Sequence, residues 1–199
     1  TDENLVNELA EKFYQSNYDI KVILNEIFTS KWFFDEKNIG TKIKSPIELM
    51  VGIQKILPIT IENPKTLIIY QKLLGQMLLN PPNVAGWPSG KAWIDSSTLM
   101  VRLKTPQIWS GIISLDYAPK DDDDQNMGMM QKMLPKNLQG NFKIDWESVS
   151  KNLKNENLED ILLQSKKSIP ENVINEFEIA EEFKSRVIAL MSTPEYQLC

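Results

Sequence analysis

The chain has 199 residues, 42% of them hydrophobic and 25% charged, with a net charge of −5 and a pI close to 5.0. That length supports one domain with a real core, or one domain plus an appended subdomain. The acidic balance gives no broad attraction for DNA, RNA or anionic lipid, which disfavours a nucleic-acid role. The sequence has no histidine, which removes Ser-His-Asp and Cys-His nucleophilic sites, HExxH zinc sites and imidazole acid-base chemistry. With Cys199 as the one cysteine, neither an intrachain disulfide nor a structural zinc site is expected. Carboxylate, lysine, tyrosine and hard-cation chemistry remain, and no metal or cofactor is expected. No apolar run approaches the roughly 20 residues that span a bilayer, so membrane insertion is not expected. The chain starts without Met in a polar helical pattern, which reads as a cut inside a longer protein.

Residues 2 to 17 place Leu5, Val6, Leu9, Ala10 and Phe13 at helical spacing, and predict an amphipathic first helix. Asp19 is placed to cap a second, whose stripe is Ile20, Ile23, Leu24, Ile27 and Phe28. Trp32, Phe33 and Phe34 follow, and three rings of roughly 150–250 Å2 each are expected to fold back onto the core. After a polar link, Ser45-Pro46-Ile47-Glu48 has the form of a capping box with proline at the first helical position. The run from Ile47 to Leu57 is apolar around most of the cylinder and predicts a helix buried on most sides, stopped by Pro58. Asn63-Pro64 repeats the cap-plus-proline signal. Leu67, Tyr70, Leu74, Met77 and Leu78 then predict a second buried helix running to Leu78.

From Asn80 to Ile94 the pattern gives way to NPPNVAGWPSGKAWI, in which three prolines lack donors and Gly86 and Gly90 permit positive φ. Asp95 is placed to cap the helix that resumes with Leu99, Met100, Val101, Arg102 and Leu103. Ile108 to Leu115 extends the helical layer. The run Asp121 to Asp124 reads as a solvated linker, since four consecutive aspartates match no EF-hand loop. Met127, Met129, Met130 and Met133 read as adaptable packing. Phe142, Ile144 and Trp146 alternate with Lys143 and Asp145, which predicts a lone short strand or a β-hairpin. Short helices are expected over 146–153, 158–165 and 170–177, then a last helix with Ala180, Phe183, Val187, Leu190 and Met191 inward. The helix end VILNEIFTSKWFF echoes Arg186 to Tyr196: Leu24, Ile27, Phe28, Ser30 and Phe33 fall opposite Val187, Leu190, Met191, Thr193 and Tyr196, a hint of paired helical hairpins.

The stretch GQMLLNPPNVAGWPSGKAWIDSSTLMVRL, residues 75 to 103, resembles the signature of the bacterial family catalogued as domain of unknown function 1800. FTSKWFFDEKNIGTKIKSPIELMVGIQKIL, from Phe28 to Leu57, and the terminal MSTPEYQL agree with it in order. The resemblance implies the C-terminal portion of such a protein, with residues 116 to 177 as an insertion without counterpart. It further implies an exported bacterial setting, periplasmic or extracellular, genes often beside a second uncharacterised family, and no established activity. The family pattern at Asn83, Gly86, Trp87, Pro88, Gly90, Trp93 and Arg102 transfers as a recurrent motif and carries no catalytic residue with it.

The expected fold is mostly all-α, a multi-helix orthogonal bundle with a long Pro/Gly/Trp loop. Three parts are expected: a helical core over 1–115, an acidic and Met-rich linker with short helices over 116–178, and a C-terminal helix over 179–199 packing back on the core. Two readings of the loop stand side by side. In the first, the loop locks the helices together, with Trp87 and Trp93 as plugs and Arg102 bonded to loop carbonyls or Asp95. In the second it is a site, where Asn83, Trp87, Lys91, Trp93, Asp95 and Arg102 stack on a sugar ring or grip an acidic group. Function divides accordingly between a helical interaction or assembly module that binds a partner protein or a glycan, and a carboxylate-dependent hydrolase whose remaining site residues are expected in a missing N-terminal part.

Overall fold

The computed structural model describes residues 2–113, 142–153, 157–163 and 183–199. The Asp121–Asp124 run, the Met-rich stretch, the helix expected over 170–177 and Ala180 lie outside the described residues. The chain divides into two compact units, Thr1–Thr41 and Lys42–Cys199, a division that the sequence reading did not draw.

In the first unit, Asp2 caps helix α1 (Glu3–Gln15) by accepting from the Asn4 and Leu5 N–H groups at 3.0 and 3.3 Å. Asn17, at φ 57°, closes that helix: its N–H reaches the Tyr14 carbonyl and that of Tyr18 reaches Phe13, the two bonds of a Schellman motif. Asp19 caps α2 (Ile20–Thr29) through the Lys21 N–H at 2.8 Å. Lys12 ties the helices by donating to Glu26 at 2.6 Å. Among the described residues of this unit none is buried. Phe33 instead meets Phe28, Trp32 and Phe34 edge to face, so the aromatic cluster does not fold into a core as expected. Phe33 and Phe34 stay exposed.

The second unit holds the core. Ser45 and Glu48 form the expected capping box of α3 (Pro46–Ile56). That helix buries Leu49, Met50 and Ile53, yet Val51 is exposed, so it is not enclosed on most sides. Burial follows the neighbours that reach a face, and an apolar run alone does not bring a neighbour to each one. Past Pro58, strand β1 (Ile59–Ile61) pairs antiparallel with β2 (Phe142–Ile144), with Ile59 opposite Ile144 and Ile61 opposite Phe142. The strand predicted at Phe142 therefore exists, and among the described residues its partner comes from far upstream and not from a hairpin. Three residues after a proline are too few to show a period of two.

Helix α4 (Lys65–Leu73) starts where the Asn63 side chain accepts from the Lys65 N–H at 3.1 Å. It stops four residues before the expected Met77 and five before Leu78. Gly75 takes φ 84°, its N–H bonds to Lys72 and the Gln76 N–H bonds to Gln71, a second Schellman motif. Ile68 on its outer side is exposed, so this helix too is buried on one face only. After the loop comes α5 (Ser96–Trp109), which carries Pro106 and ends at Gly111 in the same manner, short of the extension expected towards Leu115. Asp145 then accepts from the Ser148 N–H at 3.1 Å at the head of α6 (Trp146–Leu153). Helices α7 (Leu158–Leu162) and α8 (Phe183–Met191) follow among the described residues, and α8 packs against both α5 and α7. The fold is mostly helical with one small antiparallel sheet.

The sheet and helices meet at three rings. Trp109 stacks on Phe142 with centroids 4.7 Å apart and planes 18° from parallel, and Tyr70 stands edge-on to Trp109 at 5.3 Å. Around them Leu49, Ile53, Leu57, Val149 and Val187 are fully buried. Phe142 therefore couples the strand pairing to the helical core. Phe142→Ala is expected to cost about 3–5 kcal/mol, with a shift in Trp109 fluorescence, read from the urea midpoint. A loss under about 1 kcal/mol would mean that the sheet is peripheral to the core.

Candidate functional site

The loop between α4 and α5 is held at its start by two glutamines. Gln71 Oε1 accepts from the Leu78 N–H at 2.9 Å, and Gln76 Oε1 accepts from the Ile47 N–H at 3.0 Å. Residues Met77 to Asn80 form a turn closed by the Asn80 N–H on the Met77 carbonyl at 3.2 Å. Leu79 sits third in it at φ 63°, a place that favours Gly or Asn. Leu79 is 97% exposed, Leu78 beside it is exposed, and so is Val84 five residues on.

Each predicted site residue has a definite place. Asn83 is exposed and accepts from the Ala85 N–H at 2.8 Å, so its amide shapes a turn. Trp87 is half-buried and Lys91 is exposed. Trp93 ends the 3-10 turn Gly90–Trp93 and is buried, with its carbonyl accepting from the Thr98 hydroxyl at 3.2 Å. Asp95 caps α5, accepting from the Ser97 and Thr98 N–H groups at 2.8 Å each. The Ser97 hydroxyl bond, followed by the Thr98 N–H, holds its carboxyl below the ordinary value of 3.8.

Arg102 is fully buried. Its Nη2 donates to the Lys44 carbonyl and its Nε to Gln197 Oε1 at 3.2 Å, while Nη1 has no partner among the described residues. The expected bond to loop carbonyls or Asp95 is thus replaced. Arg102 stands seven positions after Asp95, about 10 Å along the helix axis, more than a guanidinium engaged with Lys44 and Gln197 can span back. Burial pulls Arg102 down to about 10, which leaves it a cation at neutral pH.

The oxygens it holds belong to a clasp between 42–44 and 197–199. Lys42 and Cys199 exchange both backbone bonds at 3.1 and 2.8 Å, Ile43 bridges Leu198, and the Lys44 N–H reaches the Gln197 carbonyl at 2.8 Å. The Lys44 ammonium donates to the Tyr196 carbonyl at 2.6 Å and lies 3.9 Å from the Tyr196 ring centroid. Burial lowers its pKa. Sequence reasoning missed Gln197 and Lys44, because an amide and a backbone carbonyl carry no mark of pairing with an arginine. Leu79 had one signal: two leucines stand directly before NPPN, where a turn former belongs.

The six residues do not converge on one surface. Two are interior, one is a helix cap, one a turn former. Among the described residues no group of three or more His, Cys, Asp or Glu is arranged to hold a metal, and no helix is long and apolar enough to cross a membrane. What the fold and site define is a mostly helical protein in which three separated segments, at Lys44, Arg102 and Gln197, close on a buried guanidinium. A family model described as a protein of unknown function (DUF1800) matches residues 1–198, and the chain belongs to that family. Comparison with curated proteins and with solved structures finds no match.

Two measurements check this assignment of roles. Arg102→Lys keeps the charge and loses the fork, and Gln197→Ala leaves Nε buried and unpaired. Each is expected to cost about 2 kcal/mol in chemical denaturation. Their double variant should fall clearly short of the sum, whereas additive losses would show that the two do not share a network. For Asp95, the depressed pKa means that its contribution is complete above 3.8 and fades as pH falls through the lower folded value. Asp95→Ala should cost about 1 kcal/mol at neutral pH. Asp95→Asn should keep most of that and flatten the acid limb of the stability profile.

Proposed function

We propose that the chain is an interaction module that docks a protein partner through exposed aliphatic side chains of the loop, Leu78 and Leu79 in its first turn and Val84 further along. The observation that carries this reading is Leu79. A left-handed leucine costs about 1–2 kcal/mol relative to glycine, and an exposed side chain regains none of it by packing in the free chain. A docked partner that covers the aliphatic side chain would regain it.

Aliphatic side chains suit a protein surface better than a glycan, which is bound through exposed ring faces, and Trp93 has none to offer. In this reading Asn83, Trp87 and Lys91 border the contact, Trp93 and Asp95 hold the end of the loop, and Arg102 anchors the α5 helix that follows it. No observation favours the carboxylate hydrolase, because the Asp95 carboxylate is occupied as a cap. An exported setting, periplasmic or extracellular, belongs to the same proposal and rests on the family resemblance.

Leu79→Gly separates stability from binding. It is expected to leave the denaturation midpoint unchanged or raise it by up to about 1 kcal/mol. A photoreactive side chain at position 84 should give a discrete protein adduct in the cells that make the protein, and that adduct should fade when Leu79→Gly is added. Equal adducts in both backgrounds, or sugar binding on a glycan array with no protein adduct, would overturn the reading.

A further inference from the structure

The first unit presents a second surface, independent of the Leu79 turn. Its helices α1 and α2 have 13 and 10 residues and none of their side chains is buried. Helices of that length are marginal in water without tertiary packing, and units near 40 residues rarely stand on their own core. The exposed side chains are nonetheless large and apolar, with Tyr14, Ile20, Phe28 and Phe34 each more than half exposed. Tyr18 is held at φ 64°, a further strained residue, stacked edge-on to Phe13 at 5.4 Å and Tyr14 at 5.9 Å.

The sequence echo shows what such a helix end looks like when covered. Ser30 donates to the Ile27 carbonyl at 2.7 Å, and Thr193 makes the matching bond to Leu190 at 2.8 Å. In the second unit the aromatic that follows, Tyr196, is 2% exposed and Met191 is fully buried. Their counterparts Phe33 and Phe28 are 38% and 53% exposed. The first unit therefore carries the same packing device, and among the described residues nothing encloses it as Tyr196 and Met191 are enclosed.

Charge narrows what that cover is. Residues 1–41 carry eight carboxylates against four lysines, which is most of the chain's net charge of −5. A second copy of the same face would set acid against acid, and an anionic lipid surface would be repelled. We propose that the α1–α2 unit is a docking surface for a basic amphipathic helix of a partner protein, its apolar stripe seated on the exposed apolar side chains and its lysines and arginines drawn by the net negative charge of the unit. This is helix-on-helix recognition in which the receiving unit gains its stability from the partner.

The test uses the full chain and a designed peptide of roughly 18 residues with leucines at helical spacing and lysines elsewhere, beside a control with glutamates for lysines. Hydrogen exchange of the α1 and α2 amides should be nearly unprotected alone and slowed about a hundredfold by the lysine peptide. Fluorescence anisotropy should show binding that weakens with salt, drops at least about tenfold in Phe34→Ser and Ile20→Ser, and is unchanged in Ile68→Ser, an exposed position on α4 outside both surfaces. Any of four results overturns the proposal: strong protection of α1 and α2 in the chain alone; equal affinity for both peptides; no loss in the two variants; or self-association, or sedimentation with phosphatidylglycerol vesicles, that these same variants abolish.

Discussion

A buried guanidinium with no carboxylate partner among the described residues sets the terms for the second unit. Taking that charge out of water is costly, and what offsets it is a pair of neutral oxygens, the Lys44 carbonyl and the Gln197 amide, each worth more to a cation than to a neutral donor. Neutral acceptors can be supplied only if the chain itself is brought there, so Arg102 fixes where residues 42–44 and 197–199 run. The backbone ladder between those segments adds its bonds at the margin of the unit. Lys44, placed close to a second cation, turns its ammonium to the Tyr196 carbonyl and ring, and burial holds its pKa down.

The same helix carries the other anchor. Arg102 and Trp109 stand seven residues apart on α5, two turns and nearly one face, so one side of the helix meets the clasp and, further along, the ring cluster with Phe142 and Tyr70. The loop that precedes α5 inherits this rigidity from both ends. Trp93 is buried and Asp95 caps the helix on one side; Gly75, Gln71 and Gln76 set the exit from α4 on the other. A strained leucine at the tip of such a frame stays presented, where on a loose loop it would relax.

Much of this was legible in the residues, and what was not has physical causes. Caps were readable because they are local: Ser45 with Glu48, Asp95 and Asp19 each act within three residues of themselves. The end of α4 was misjudged because apolar spacing continues through Met77 and Leu78, while the stop depends on the backbone of Gly75, which a hydrophobic pattern does not register. Strand β1 was missed because three residues show no period. The partners of Arg102 were missed because they are a main-chain oxygen and a neutral amide far away in sequence. For the loop, Pro and Gly announced irregular backbone, yet nothing local told which indole would be buried; Trp93 goes inward because it ends the turn that feeds the α5 cap.

The misreading of Trp32, Phe33 and Phe34 teaches the most. Ring size states how much free energy burial would yield, about 25 cal/mol per Å2 of apolar surface, and says nothing of what is there to do the burying. Ser30 and Thr193 end their helices with the same hydroxyl-to-carbonyl bond, so local chemistry does not distinguish the two. Tyr196 is enclosed because Arg102 and the clasp hold its segment against the core, and no such fixed charge lies in residues 2–41 to do the same for Phe33. Order in the two units therefore has different origins: in one it is set by an internal cation that the chain must wrap, and in the other it waits on apolar surface supplied from outside the unit.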